Sequence, residues 1–193
     1  VENLPEKEYK GLSPSQLGGC MRSHYWKIKG EEATTPPNTP ALVNFQLGFH
    51  WESFMADAYK KAGILVKHYV DGEEEVFSDP VTGLVGLPDF ILKDKKGDLI
   101  VSDAKTVNSK YFRYVSRYKS FSDWVKDKNR ETTQLLAYAH LLRQNGMDIK
   151  YGHLSFASKD DGFVGMEFML EVTDEALDPV IARALRLKEY VDN

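Results

Sequence analysis

Hydrophobic and polar positions recur with two different periods along the chain, and each period predicts one kind of element. A recurrence every three to four residues predicts helices over 12–29, 45–63 and 131–146, and from about Thr173 to Tyr190. Short alternating or continuous apolar runs predict strands over 64–70, 73–77, 84–93, 98–105, 151–158 and 163–172. The order reduces to helix, three strands, helix, strand, with extra elements at both ends. This order is typical of a mixed α/β or α+β fold.

Cap and turn residues set the predicted boundaries. Ser13 and Pro14 stand where the N-cap and first turn of the first helix are expected. The Pro- and Thr-rich stretch 30–41 is predicted to be a loop, and DKKG at 94–97 the turn of a β-hairpin. A chain of 193 residues is long enough for a substantial core and short enough for one domain, 1–193.

Two of the predicted strands contain aspartate within otherwise apolar runs. Asp103 and Lys105 are two residues apart, so in a strand they project to the same face. Asp89 follows Pro88 on the other strand of the predicted hairpin. Neighbouring strands lie roughly 5 Å apart, so the two aspartates are predicted to converge.

The helix over 45–63 supplies a third acid. Its polar side chains form one stripe, which comprises Gln46, His50, Ser53, Asp57, Lys60 and Lys61. Glu52 lies outside that stripe. Its predicted neighbours are Phe45, Phe49, Ala56 and Tyr59. A carboxylate on an apolar face must be neutralised, paired or bound to a metal, because a bare buried charge costs several kcal/mol.

Three carboxylates and a lysine on one helix and one hairpin suit a hard cation. Oxygen ligands favour Mg²⁺ or Mn²⁺, as one ion or two. Such an ion holds a phosphate and lowers the pKa of an attacking water, and Lys105 can steady the developing charge. The pattern predicts metal-assisted phosphodiester hydrolysis.

The spacing of these motifs resembles the PD-(D/E)XK nuclease superfamily. Pro88-Asp89, then Asp103-Ala104-Lys105, and Gly48 four residues before Glu52 match its motifs. Gln134 and Tyr138 resemble the Q-x-x-x-Y signature of the RecB-like exonuclease branch, and LSPSQLGGCMRSHYW resembles the segment that opens many of its members. The resemblance covers roughly residues 12–160.

The resemblance implies a restriction-endonuclease-like core, with a central mixed β-sheet flanked by helices in the order α-β-β-β-α-β. It implies a metal site, whose ligands are Glu52, Asp89, Asp103 and the carbonyl of Ala104. It implies that Lys105 orients or activates the water and that Gln134 and Tyr138 support the site or the nucleotide. By the same analogy, Arg22 binds a phosphate.

The chain departs from the RecB-like pattern at two places. Members of the branch usually carry histidine where this chain has Glu52. Iron–sulfur members need four cysteines, and this chain has only Cys20, so no iron–sulfur cluster is expected.

A basic and aromatic stretch at about 108–130 is predicted to be an insertion that contacts DNA. It holds seven basic and two acidic residues, a net charge of +5 in a chain of net charge −4. Cations for phosphates and rings for stacked bases are what single-strand binding requires. The candidate contacts are Lys110, Arg113, Tyr114, Arg117, Tyr118, Lys119 and Trp124. The alternative is a helix that buries its rings on the core and solvates its lysines.

Charge and hydrophobicity bear on three further questions, namely nucleic-acid binding, membrane association and secretion. The net charge of −4 argues mildly against nucleic acid, but positive charge concentrated along one path answers that objection. No apolar run reaches the roughly 18 residues of a membrane span, and the polar N-terminus is unlike a secretory signal. We therefore expect no membrane association and a location in the cytoplasm of a bacterial or phage-infected cell.

The sequence thus predicts a metal-dependent DNA nuclease, an exonuclease of the RecB-like type in recombination, repair or phage replication. Its substrate is DNA that is single-stranded or has free ends, and a recombinase, helicase or single-strand-binding protein is a candidate partner. Two alternatives stay open, a structure- or sequence-specific endonuclease and a non-catalytic DNA-binding module.

Overall fold

The structure is a computed structural model that describes residues 11–32, 34–69, 76–118 and 130–193. Its helices are α1 Pro14–Leu17, α2 Met21–Ile28, α3 Thr39–Lys61, α4 Ser109–Val115, α5 Arg130–Gln144 and α6 Asp174–Asp192. Its strands are β1 Leu65–His68, β2 Phe77–Asp79, β3 Leu84–Gly86, β4 Phe90–Lys93, β5 Leu99–Val107, β6 Ile149–Ser158 and β7 Val164–Glu171.

Five strands form the central sheet, in the order β1-β4-β5-β6-β7. The β5–β6 pair is parallel and the other three pairs are antiparallel, so the sheet is mixed. Helix α5 is the crossover that a parallel pair requires. The core order α3-β1-β4-β5-α5-β6 confirms the predicted α-β-β-β-α-β arrangement, and β2 and β3 form a separate two-stranded sheet.

The two faces of the sheet pack on different helices. Phe90, Leu92 and Ile100 pack with Met55 and Tyr59 of α3. The opposite face belongs to the larger cluster, which contains Ile91 and Val101 of the sheet, Leu135 and Leu142 of α5, and Leu187 of α6. Because side chains alternate along a strand, Asp103 and Lys105 share the face of Val101 and point toward α5.

The single strand predicted over 84–93 is two strands. Leu87, Pro88 and Asp89 separate β3 from β4, which lie in different sheets. Proline has no N–H to donate to a sheet ladder, so the pairing is interrupted there. Asp89 therefore lies in a bend that leads into β4 rather than within a strand.

The helix predicted over 12–29 is also divided. Helix α1 ends at Leu17, and α2 begins at Met21. A Cβ on Gly18 would lie 2.4 Å from the carbonyl oxygen of Arg130, so this turn passes against the start of α5. The close approach fixes the break, because no larger residue fits there.

Helix α3 begins at Thr39, before the predicted start at residue 45. Asn38 caps it, since its side-chain oxygen accepts a hydrogen bond from the Ala41 amide at 3.0 Å. Residues 73–75 of the strand predicted over 73–77 lie outside the described residues. In the described part of the chain, no helix is both long and apolar enough to cross a membrane.

Candidate active site

A buried carboxylate on β5 forms the centre of the site. Asp103 is 1% exposed, and its Oδ1 accepts hydrogen bonds from Lys105 Nζ at 2.7 Å and Gln134 Nε2 at 2.9 Å. Its Oδ2 is buried without any hydrogen-bond partner. A buried oxygen left unpaired in this way is costly, so it marks a position where a ligand group is expected.

The crossover geometry explains why Gln134 reaches Asp103. Strands β5 and β6 run parallel, so α5 must run back against both of them. Gln134 lies in the second turn of α5 and is buried on the face that packs on the sheet. Residues later along β5 therefore face residues earlier along α5.

Asp89 is held beside Asp103 by backbone contacts. Its Oδ2 accepts a hydrogen bond from the Ala104 amide at 3.0 Å, and its carbonyl oxygen accepts one from the Tyr69 amide at 3.0 Å. The bend at 87–89 thus carries the Asp89 carboxylate to β5 immediately after Asp103. The predicted convergence of the two aspartates is present.

The electrostatics of the pair favour a proton or a cation. The pKa of Asp103 is raised from 3.8 to about 7. Burial is the largest cause, the charge of Lys105 opposes it, and the neighbouring Asp89 carboxyl adds to it. Burial lowers the pKa of Lys105, but the carboxylates of Asp103, Asp89 and Glu131 outweigh that effect, so its pKa is raised overall. Lys105 is therefore a charged ammonium at neutral pH.

Glu52 is engaged elsewhere. Its Oε1 lies 3.0 Å from Nε2 of His68, and both side chains are about one-fifth exposed. The His68 ring stacks on Phe90 at 5.0 Å between centroids. Among the residues that the structure describes, no three His, Cys, Asp or Glu side chains are grouped closely enough to hold a metal ion together. The predicted convergence of three carboxylates is therefore reduced to a pair, Asp89 and Asp103.

The apolar surroundings predicted for Glu52 are only half present. Ala56 and Tyr59 are buried, but Phe45 and Phe49 are 48% and 41% exposed. The face of α3 that carries Glu52 is therefore buried only along its second half, where Met55, Ala56 and Tyr59 pack on the sheet.

No protein-family model matches the chain, and no curated protein sequence matches it. Solved structures of exonucleases share its architecture. The alkaline exonuclease LHK-Exo from Laribacter hongkongensis superposes with a TM-score of 0.64 at 11% identity, over 95% of this chain and 88% of that chain. Its complex with dAMP gives a TM-score of 0.61 with the same identity and coverage. A phage-related exonuclease from Haemophilus somnus 129PT gives 0.58 at 14% identity, over 89% of this chain and 79% of that chain.

The chain therefore shares the fold of these exonuclease structures, with a central mixed sheet flanked by helices. In this fold the PD motif is the bend at Pro88 and Asp89, and the D-x-K motif is Asp103 to Lys105 on β5.

The two residues of the Q-x-x-x-Y motif lie in different surroundings. Gln134 bonds directly to the D-x-K aspartate. Tyr138, one turn later on α5, is 5% exposed and belongs to the core. A Cβ on Gly86 would lie 3.4 Å from its ring and 3.1 Å from Pro14, so Tyr138 packs where α1 meets the β2–β3 sheet. The ring of Tyr138 therefore packs in the core, and its predicted role in the site stays a prediction.

Sequence reasoning missed two residues that lie next to the PD-(D/E)XK motifs. Glu131 precedes Gln134 by three residues, so it lies on the same face of α5 and further along β5, toward Lys105. Tyr111 of α4 donates a hydrogen bond to Glu131 Oε1 at 3.1 Å. The spacing of Glu131 from Gln134 was the available signal.

Part of the predicted basic stretch is the helix α4. Asn108 caps it by accepting a hydrogen bond from the Tyr111 amide at 2.8 Å. Four of the candidate DNA contacts are exposed, namely Lys110, Arg113 and Tyr114 on α4 and Arg117 just after it. The Tyr118 hydroxyl donates to the Tyr114 hydroxyl at 2.8 Å. Lys119 and Trp124 lie outside the described residues.

The described side chains of this stretch divide between the core and the surface, and DNA contact stays a prediction. Tyr111, Phe112 and Tyr118 are half-buried against the core, as the core-packing alternative predicts. Tyr114 is 45% exposed, as a DNA contact requires. Arg22, the candidate phosphate ligand, is exposed on α2.

The donor set fits a hard divalent cation. Asp103 Oδ2 is a buried carboxylate oxygen without a partner, and the second carboxylate, from Asp89, lies beside it. Carboxylate oxygens are the ligands that Mg²⁺ and Mn²⁺ take in proteins, and a cation offsets the repulsion of two adjacent acids.

Proposed function

We propose that this chain is a Mg²⁺- or Mn²⁺-dependent DNA exonuclease of the RecB-like branch, which acts in DNA recombination, repair or phage replication. The observation that carries the proposal is Asp103. Its Oδ1 is held by Lys105 and Gln134, whereas its Oδ2 is buried, unpaired and adjacent to a second carboxylate. A purely structural carboxylate would have both oxygens satisfied.

Asp89, Asp103 and the Ala104 carbonyl would hold the cation, and Glu52 would join them by exchanging its His68 partner for the ion. When bound, the cation neutralises phosphate charge and lowers the pKa of the attacking water. The Ala104 amide orients Asp89 toward β5, and Gln134 orients Asp103, so both carboxylates are positioned before substrate binds.

The chain's own groups would act on the water and on the phosphate. The Lys105 ammonium lies against Asp103, where it can hold the water by hydrogen bonding and stabilise the charge that develops on the phosphate oxygens. Attack by the water forms a new P–O bond and breaks the bond to the sugar oxygen. That oxygen leaves with a proton, and the water's other proton passes to solvent.

Three observations support an exonuclease acting on DNA. The three solved structures named above are described as exonucleases, and one of them is bound to dAMP. Gln134 bonds to Asp103, as the RecB-like signature requires of an active-site glutamine. Exposed cations and a tyrosine on α4 directly follow the D-x-K strand.

The test is cleavage of 5′- and 3′-labelled linear DNA, single- and double-stranded, beside closed circles, with Mg²⁺, Mn²⁺ or EDTA. We expect metal-dependent shortening of linear DNA and intact circles. Nicked or linearised circles would establish an endonuclease instead. DNA binding without cleavage of any substrate would establish a non-catalytic binding module.

Glu52 allows a sharper test of the metal site. We expect Glu52→Gln to raise the Mn²⁺ concentration needed for half-maximal cleavage by about tenfold or more, because the amide is a much poorer ligand. The control is His68→Phe, which removes the hydrogen-bond partner of Glu52 and keeps a ring stacked on Phe90.

His68→Phe should leave the Mn²⁺ requirement near that of the wild type or lower it, because Glu52 no longer has to break its hydrogen bond to His68 before it binds the ion. If both variants raise the requirement equally, Glu52 acts through His68 and is not a ligand.

A further inference from the structure

Helices α2 and α6 enclose an open groove of about 550 Å³ on the surface. Each of the two helices contributes at least one ring and one arginine to its wall. The rings are Tyr25, Trp26 and Tyr190, Leu187 is the buried apolar residue among them, and the cations are Arg22 and Arg186. The lining contains none of Glu52, Asp89, Asp103, Lys105 and Gln134, so the groove is a second surface beside the candidate active site. Arg22 is the one residue of the groove that the sequence analysis named as a DNA contact.

The groove is held open by contacts at both ends. Arg183 of α6 donates to the carbonyl oxygens of Leu17 and Gly19, both at 2.6 Å, just before α2 begins. Lys29 donates from Nζ to the carbonyl oxygen of Val191 at 2.7 Å, just after α2 ends. The two helices therefore run in the same direction and are fixed to each other at both ends. A ligand would bind a preformed surface, which costs less ordering entropy.

The rings of the groove are available for stacking. Trp26 is 45% exposed and Tyr190 is 55% exposed. Tyr25 meets Trp26 edge to face at 5.0 Å, which leaves a face of the indole uncovered by that neighbour. The Arg186 guanidinium lies over the Tyr190 ring at 6.0 Å, so one cation is already placed beside a stacking surface.

The chemistry of the groove selects a ligand with flat apolar rings and regularly placed negative charge. Exposed rings interleaved with arginines bind single-stranded nucleic acid, because every base has a stacking face and every nucleotide carries a phosphate. A duplex does not fit this description, since the faces of its bases are covered by their neighbours. The whole chain has a net charge of −4, but the two arginines make the groove locally positive.

We propose that this groove binds a single strand of the DNA substrate away from the catalytic centre. Bases stack on Trp26 and Tyr190, and phosphates pair with Arg22 and Arg186. The inference rests on the proposed nuclease function and adds a second contact to it. The groove retains the unpaired strand while the end of the DNA is at the Asp103 site.

The experiment measures the affinity for a labelled oligo(dT) in a Lys105→Ala background with EDTA present, so that metal-dependent cleavage does not consume the probe. We expect Trp26→Ala with Tyr190→Ala to weaken binding by about tenfold or more, since each stacked base contributes that order of affinity. Trp26→Phe keeps a ring and should retain most of the affinity. Phe54→Ala removes another exposed ring, on α3, and should have no effect.

Salt dependence tests the arginines separately. Changing Arg22 and Arg186 to glutamine should reduce the slope of log affinity against log salt by about 1.4, because about 0.7 counterions are released per phosphate on a single strand. Thermal unfolding of each variant verifies that it is folded.

The outcomes separate this inference from the proposed function. If the wild type cleaves DNA and the Trp26/Tyr190 double variant binds oligo(dT) as tightly as its parent, the groove inference is overturned and the nuclease stands. An acidic, phenylalanine-containing peptide that binds here in place of DNA would also overturn it. A wild type that neither binds nor cleaves any DNA would overturn the proposed function itself.

Discussion

Replacement of Lys105 by alanine is expected to reduce metal-dependent DNA cleavage by about a thousandfold, in line with the loss of a transition-state donor. The ammonium lies 2.7 Å from Asp103 Oδ1 and keeps its charge because three carboxylates raise its pKa. Alanine removes that charge from the place where the phosphate becomes more negative. Single-turnover cleavage of labelled linear DNA with Mg²⁺ measures the effect.

Lys93→Ala is the matched control. Lys93 is an exposed lysine at the end of β4, which pairs with β5, and it has no part in the site. The control should cleave at the wild-type rate, whereas DNA binding by Lys105→Ala should remain. Cleavage by Lys105→Ala within tenfold of the wild type would remove lysine from the proposed chemistry.

The second large effect is on stability. Asp103→Asn is expected to increase the free energy of unfolding by about 2 kcal/mol at pH 8 without divalent metal, while it abolishes cleavage. Burial and the Asp89 carboxyl together raise the pKa of Asp103 to about 7 in the folded state despite the charge of Lys105, against 3.8 for the group in water. The folded state therefore binds the proton more tightly than the unfolded state does. Its stability falls as the pH rises from about 4 to above 7, and an amide avoids this loss.

The same linkage predicts how the stability difference between Asp103→Asn and the wild type depends on pH and on metal. Urea unfolding of the two proteins in EDTA should give nearly equal stabilities near pH 4 and diverge as the pH rises through 7. Added Mn²⁺ should stabilise the wild type at pH 8 and leave Asp103→Asn unchanged, because the ion takes the place of the proton. A reduced stability of Asp103→Asn at pH 8 in EDTA would contradict the assigned pKa direction.

An exposed acid provides the control for this experiment. Asp57 is exposed on α3, so Asp57→Asn should change the free energy of unfolding little at any of these pH values. The comparison separates the effect of a buried carboxylate from the general effect of removing one negative charge.

The order of the core elements followed from local patterns. Runs of period two and of period 3.6 are set by side-chain geometry within a few residues, so the α-β-β-β-α-β order and the class of the fold were predictable. The shared face of Asp103 and Lys105 followed for the same reason. Even the convergence of Asp89 on Asp103 needed only a hairpin and the spacing of its strands.

The ends of several helices and strands depend on tertiary contacts, which a local sequence pattern does not predict. The break of 84–93 at Pro88 had a visible cause, but the assignment of β3 to another sheet came from its pairing with β2. The turn between α1 and α2 depends on the backbone of Arg130, more than a hundred residues away.

The sequence by itself determined which chemical groups the chain carries and which of them share a strand or a helix face. Only the tertiary structure decided which groups meet. It pairs Glu52 with His68, brings Gln134 to Asp103, places Glu131 and Tyr111 nearby, and leaves one oxygen of Asp103 unpaired. It also sets α2 beside α6 and so forms the aromatic groove. The physical reason is that periodicity fixes the direction of each side chain within one helix or strand. Contacts between side chains of different elements depend on how the crossover helix and the sheet pack together.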